Sequence, residues 1–194
     1  MRKQKGFSLI ELLIVVAIIL IIAAIAIPNL LRARIAANES SAVGSVRNII
    51  TQEIAYQSTY ANTQGYAPNI LALGPPNGTA ACAPAFVPTA ASACLLDGGL
   101  SGADPASAGQ AVKSGYGFQA TGANPTAAGV NQSFTAAAVP VTFNQSGTRD
   151  FCAIEDGVAR GNLPAAANTG GFAGAGALAG GGAAVCTAAP FTAL

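Results

Sequence analysis

Hydrophobic and polar positions divide the chain into three regimes. The first is a block: twenty positions between Glu11 and Arg32 carry no charge, and most are Ile, Leu, Val or Ala. A helix crosses the hydrocarbon core of a bilayer with about 20 mainly apolar residues, so residues 7–30 are expected to form a membrane-spanning helix. Pro28 lies inside it. There it removes one backbone hydrogen bond and crowds the carbonyl of Ala24, which predicts a kink or local opening. In the second regime, residues 31–62, the block gives way to a period. Val43, Val46, Ile50 and Ile54 recur at spacings of three and four, the pattern of a helix with one buried face. Arg32, Arg34, Glu39, Arg47 and Glu53 are expected on its remaining surface. Tyr56 and Tyr60, four residues apart, are expected between this amphipathic helix and the domain that follows.

The third regime begins near Gly65, where Pro, Gly, Ala and Ser take over and helical signals stop. Residues 66–110 read as a long connecting loop. Strand-like runs follow at Tyr116 to Ala120, Ser133 to Phe143 and Arg149 to Glu155, separated by Gly, Asn and Pro. They predict a small antiparallel sheet. Asp97-Gly98 and Asp156-Gly157 read as turns rather than as ligands for a cation. From Gly161 to Leu194 the chain is rich in Gly and Ala, nearly uncharged and without periodicity; flexible low-complexity chain is the expectation. The predicted organisation is therefore 1–6 as a leader, 7–30 as the span, 31–62 as an amphipathic helix, 63–160 as a head and 161–194 as a tail. The fold class is α+β, a long N-terminal helix packed on a small sheet with long stapled loops.

Composition narrows the picture. Charged residues make up 9% of the 194, well below the roughly 25% of an ordinary soluble protein. The formal net charge is +1, and Arg2, Lys3 and Lys5 all precede Phe7. Loss of residues 1–6 would take three positive charges and leave 1 − 3 = −2. Bulk charge therefore gives no sign of a nucleic-acid partner. The four cysteines, Cys82, Cys94, Cys152 and Cys186, form an even set behind an export-type start, which points to two disulfides in an oxidising compartment. Three pairings are open. Cys82–Cys94 with Cys152–Cys186 is favoured because each closes a sequential loop. A metal site is disfavoured, since there is no histidine and no Cys-x-x-Cys.

Residues 1–6 are too short, and lack the apolar core, for an ordinary secretory signal. The run Gly6-Phe7-Ser8-Leu9-Ile10-Glu11-Leu12-Leu13-Ile14-Val15-Val16, preceded by three basic residues, instead resembles the processing and assembly motif of type IV pilins and of the pseudopilins of type II secretion. Close resemblance covers roughly residues 1 to 60. It implies that a prepilin peptidase cuts after Gly6 and methylates the new terminus at Phe7. It also implies that Glu11 is the assembly carboxylate. Cutting after Gly6 would place an amine on Phe7, four residues from Glu11 and on the same helical face, able to pair within one subunit or with a neighbour. Pro28 would be where the helix yields in a filament, since no glycine lies between Gly6 and Gly44.

The resemblance further implies a precursor in the bacterial inner membrane, with a cytoplasmic N-terminus and a periplasmic head. An inner-membrane assembly platform would build it into a homo-oligomeric helical filament, extracellular or periplasmic, for adhesion, motility or DNA uptake. The alternative is a pseudopilin working as a short piston. An enzyme is not expected: no histidine is present, no nucleophile–base pair can be assigned, and Gly174, Gly176 and Gly180 lack the lysine and the strand–helix setting of a phosphate loop. No cofactor and no metal are expected. Asn38, Asn77, Asn131 and Asn144 each begin an Asn-x-Ser/Thr triplet, read as chance occurrences.

Overall fold

The computed structural model describes residues 8–76, 79–103, 111–162, 186–187 and 191–194. Its first element is α1, Leu9–Tyr60, a helix of 52 residues with Pro28 inside it. The helix runs on through Pro28. The chain divides into two compact units, residues 1–34 and 35–194.

Within the second unit, α1 supplies one side of the core and an antiparallel sheet the other. The sheet is a meander of β1 (Val112–Lys113), β2 (Tyr116–Pro125), β3 (Asn131–Pro140), β4 (Asp150–Ile154), β5 (Arg160–Asn162) and β6 (Thr192–Ala193), in that order. The long β2–β3 pair sets the register, from Tyr116 opposite Pro140 to Pro125 opposite Asn131. Side chains alternate across a strand, and β3 shows the consequence. Phe134, Ala136 and Ala138 join Val46, Ile49, Ile50 and Tyr56 of α1 in the main core. Ala137 and Val139 point the other way and pack with Phe191. Small alanine side chains on the inner face leave room for the helix to lie against the sheet.

The three strands read from the sequence are present. The predicted helical face is displaced, however. Val46 and Ile50 are buried, but the face runs through Ala42, Ser45, Ile49, Glu53 and Tyr56, while Ile54 is half exposed. Glu53, expected on the surface, is fully buried. The segment 66–110 is also more than connecting loop. Among its described residues it forms a 3-10 turn (Ile70–Leu73) and a single helical turn, α2 (Gly98–Ser101). It sends Ile70, Leu73, Leu96 and Leu100 into the core. Its two limbs are joined by backbone bonds, with Ala93 N–H to the Ala72 carbonyl at 2.8 Å and Leu95 N–H to the Leu73 carbonyl at 2.7 Å. Asp97 caps α2 by accepting from Leu100 N–H at 2.9 Å, and Asp156 accepts from Val158 N–H at 2.9 Å. Both are turn residues.

Where the C-terminal segment is described, it belongs to the sheet. β6 pairs with β5, Gly161 opposite Thr192, and Phe191 packs with Ile154 and the buried Cys152 and Cys186. Two residues of strand are too short to show any alternation in sequence. Residues 163–185 lie outside the described residues.

Candidate assembly segment

Helix α1 begins with a local device that the sequence spells out. Ser8 stands just before the helix and Glu11 three residues on, the Ser-x-x-Glu spacing of a capping box. Half of that box is formed. The Glu11 Oε2 accepts from Ser8 N–H at 3.0 Å, and the Ser8 carbonyl takes the first helical bond, from Leu12 N–H at 3.3 Å. A carboxylate in the first turn also complements the positive end of the helix dipole. Glu11 is thus held over the helix N-terminus by its own backbone. Gly6 and Phe7, singled out for cleavage and methylation, lie outside the described residues.

The segment that follows is apolar all round and uncovered. Sixteen large aliphatic side chains from Leu9 to Leu31 are between 44% and 75% exposed. Fully burying each would gain about 1.5–3 kcal/mol, so exposure to water forfeits tens of kcal/mol in all. This stretch is long and apolar enough to cross a membrane.

The head grips α1 at three levels. Near its start in this unit, Asn38 Nδ2 donates to the Ser146 carbonyl at 2.9 Å. Glu39 Oε1 accepts from both Thr148 N–H at 2.8 Å and Thr148 Oγ1 at 2.7 Å. Four turns on, Glu53 Oε2 accepts from Ala67 N–H at 2.9 Å. Its Oε1 is buried with no hydrogen-bond partner among the described residues. Burial pushes this carboxyl up to about 8, against the smaller opposing pull of the Ala67 N–H. Last, the Tyr56 hydroxyl donates to the Ala90 carbonyl at 2.6 Å, and its ring lies 4.7 Å from that of Tyr60. The two tyrosines fill the interface expected of them. Glu53 was legible in principle: Ile49, Glu53 and Tyr56 fall at i, i+4 and i+7, on one face.

Two disulfides staple the head, Cys82–Cys94 and Cys152–Cys186, with Cα separations of 6.2 and 5.8 Å. The first closes the loop that carries Ala90, the acceptor for Tyr56. The second ties β4 to the segment that returns as β6. Among the described residues no group of three His, Cys, Asp or Glu side chains is placed to hold a metal.

The described residues thus combine an exposed apolar helix opening on a capped glutamate with a disulfide-stapled antiparallel sheet, an α+β fold. The model of the prokaryotic N-terminal methylation motif matches residues 1–27. The type IV wide pilus major component PilA4 of Thermus thermophilus is 46% identical over 67 residues, covering 33% of this chain and 51% of that protein. The type IV major pilin protein PilA of Myxococcus xanthus is 40% identical over 72 residues, covering 34% of this chain and 33% of the relative. The chain thus spans about half the length of one curated relative and a third of the other. No solved structure matches. Motif and relatives agree: the chain carries a prokaryotic N-terminal methylation motif, and about a third of it is similar to type IV major pilins.

Proposed function

We propose that this protein is the precursor of a structural subunit of a type IV pilus. It is cut after Gly6, methylated at Phe7 and assembled by its own copies through the apolar part of α1. The observation that carries this reading is the uncovered apolar segment from Leu9 to Leu31. Nothing in its own unit shields it, so it requires a bilayer first and neighbouring helices afterwards. A prepilin peptidase with methyltransferase activity and an inner-membrane assembly platform are the partners this route needs. The head would lie on the periplasmic side before the subunit enters an external filament.

Glu11 is the residue through which assembly is steered. In a bundle of helices that excludes water, an unpaired carboxylate is costly and a paired one fixes axial register. The terminal amine of a neighbour's Phe7 is the complementary charge. Replacing Glu11 with Ala removes a charge from the span, so the mature protein is expected in the membrane at normal amounts. Sheared filaments are expected to be lost. Normal filament yield from the Glu11→Ala strain would overturn the steering role, and loss of the protein from the membrane would assign Glu11 to folding or insertion.

A further inference from the structure

One end of the head has a composition and a position that the core does not explain. The β1–β2 turn at Ser114-Gly115 and the β3–β4 connection, Val141 to Arg149, lie side by side there, joined by Val141 N–H to the Gly115 carbonyl at 2.9 Å. Both also touch the beginning of the head's part of α1. Ser41 Oγ donates to Ser114 Oγ at 3.0 Å, while Asn38 and Glu39 bind Ser146 and Thr148. This is therefore the neck end of the head. The β2–β3 turn, residues 126–130, marks the other end, a full ten-residue strand away, or about 33 Å at ~3.3 Å per residue.

The neck end exposes apolar and cationic groups together. Val112 and Val141 are 39% and 42% exposed, although both flank a sheet whose inner strand is otherwise buried. Arg149 is exposed and forms no ion pair among the described residues, while Lys113 pairs only loosely with Asp97 at 3.7 Å. Of the other carboxylates nearby, Glu39 is turned inward onto Thr148, and Asp150, next to Arg149 in the chain, is fully buried. Covalent distance then sets what this end can meet. Six residues, 32 to 37, separate Leu31 from Asn38, and two of them are Arg32 and Arg34. As helix they span about 9 Å, comparable with the ~5–7 Å headgroup layer on one side of a bilayer.

We infer that the neck end of the head rests on the anionic headgroup layer of the membrane while the chain is anchored there. Val112 and Val141 enter the interface and Arg149 meets lipid phosphates. This contact orients the head before assembly and is surrendered when the subunit leaves the bilayer. The inference rests on the membrane-anchored reading proposed above, and its test separates the two.

The chain has no tryptophan, so single reporters can be placed in the full-length protein in vesicles of phosphatidylcholine with phosphatidylglycerol. Ile19→Trp reports on the span, Val141→Trp on the neck end and Ala128→Trp on the far end. Quenching by lipids brominated along the acyl chain is expected for Ile19→Trp. For Val141→Trp, a blue-shifted emission and quenching by lipids labelled near the headgroup are expected. Both effects should weaken in pure phosphatidylcholine, in molar salt, where the Debye length falls to ~3 Å, and on adding Arg149→Ala. Ala128→Trp should show neither. Hydrogen exchange on the unsubstituted chain should be slower in residues 141–149 in anionic vesicles than in neutral ones, with residues 126–130 unchanged. Equal behaviour of Val141→Trp and Ala128→Trp, with Ile19→Trp quenched, would overturn the headgroup contact and leave anchoring intact. Shielding of Val141→Trp that follows protein density rather than lipid charge would overturn it in favour of a second copy of the chain. An unquenched Ile19→Trp would overturn the anchored reading, and this inference with it.

Discussion

Replacing Glu53 with Gln keeps the shape of the buried side chain and removes its proton equilibrium. In the folded protein burial holds this carboxyl near 8, against an ordinary 4.5. Folding therefore weakens the acid by roughly three and a half powers of ten, at about 1.36 kcal/mol each. Between those two values the folded state binds more protons than the unfolded one, so stability falls as pH rises. The stabilising contribution of the neutral acid is complete below pH 4.5 and gone above pH 8. At pH 7 the loss is on the order of 3 kcal/mol, and at pH 8 it is on the order of 4 kcal/mol. Glutamine retains an oxygen for the Ala67 N–H and never ionises. Thermal or denaturant unfolding of the full chain in detergent, from pH 4 to pH 9, is the assay. The difference between variant and parent cancels every other titrating group. Glu53→Gln is expected to match the parent near pH 4 and to become progressively more stable up to pH 8. A constant difference across the range, or a variant less stable than the parent at pH 8, would refute the reasoning and show an ionised, partnered Glu53.

Three further outcomes are expected elsewhere in the chain. Gly6→Val should leave an uncut precursor carrying Arg2, Lys3 and Lys5, seen by mass spectrometry of the membrane fraction, because a branched side chain blocks close approach at the cut. Non-reducing peptide maps should show Cys82 with Cys94 and Cys152 with Cys186; opening these loops, with sequence separations of 12 and 34, should cost about 3 and about 4 kcal/mol of stability, read as lowered denaturation midpoints. Glu39→Ala strips Thr148 of the acceptor for both its N–H and its hydroxyl and should cost roughly 2–3 kcal/mol, with faster hydrogen exchange confined to the loop before β4.

Long, continuous signals make most of the fold legible without a structure. The span from Leu12 to Leu31 needs no partner to be recognised, because length and apolarity alone define it. Strands β2, β3 and β4 are legible from runs of β-branched, aromatic and alanine residues between turn formers. β2 reaches past Ala120 to Pro125 because β3 pairs with it, which overrides the poor strand preference of Gly122, while Asn124 is left out of the pairing in a left-handed backbone conformation. β1, β5 and β6 have two or three residues each, too few for a period of two to appear. Glu53 differs from its expected surface position because a charge on a helix is ordinarily solvated. Its spacing to Ile49 and Tyr56 puts it on the buried face, but the partner it bonds there, the backbone N–H of Ala67 fourteen residues away, is in no local pattern. Ser8 shows the opposite case. Its spacing to Glu11 is visible in the sequence, yet the capping bond emerges only when the two residues are taken as a pair. The outer face of the sheet is covered by Phe191 and Cys186, contributed by a segment whose Gly and Ala composition has no signal of packing.

The most direct test is mass spectrometry of filaments sheared from cells that make this protein, with intact masses and terminal peptides measured together. A processed pilus subunit would be found as a component of those filaments, beginning at Phe7, carrying one methyl group on that terminus and retaining both disulfides. Filaments that lack the chain, or that contain it with residues 1–6 still attached, would contradict that role.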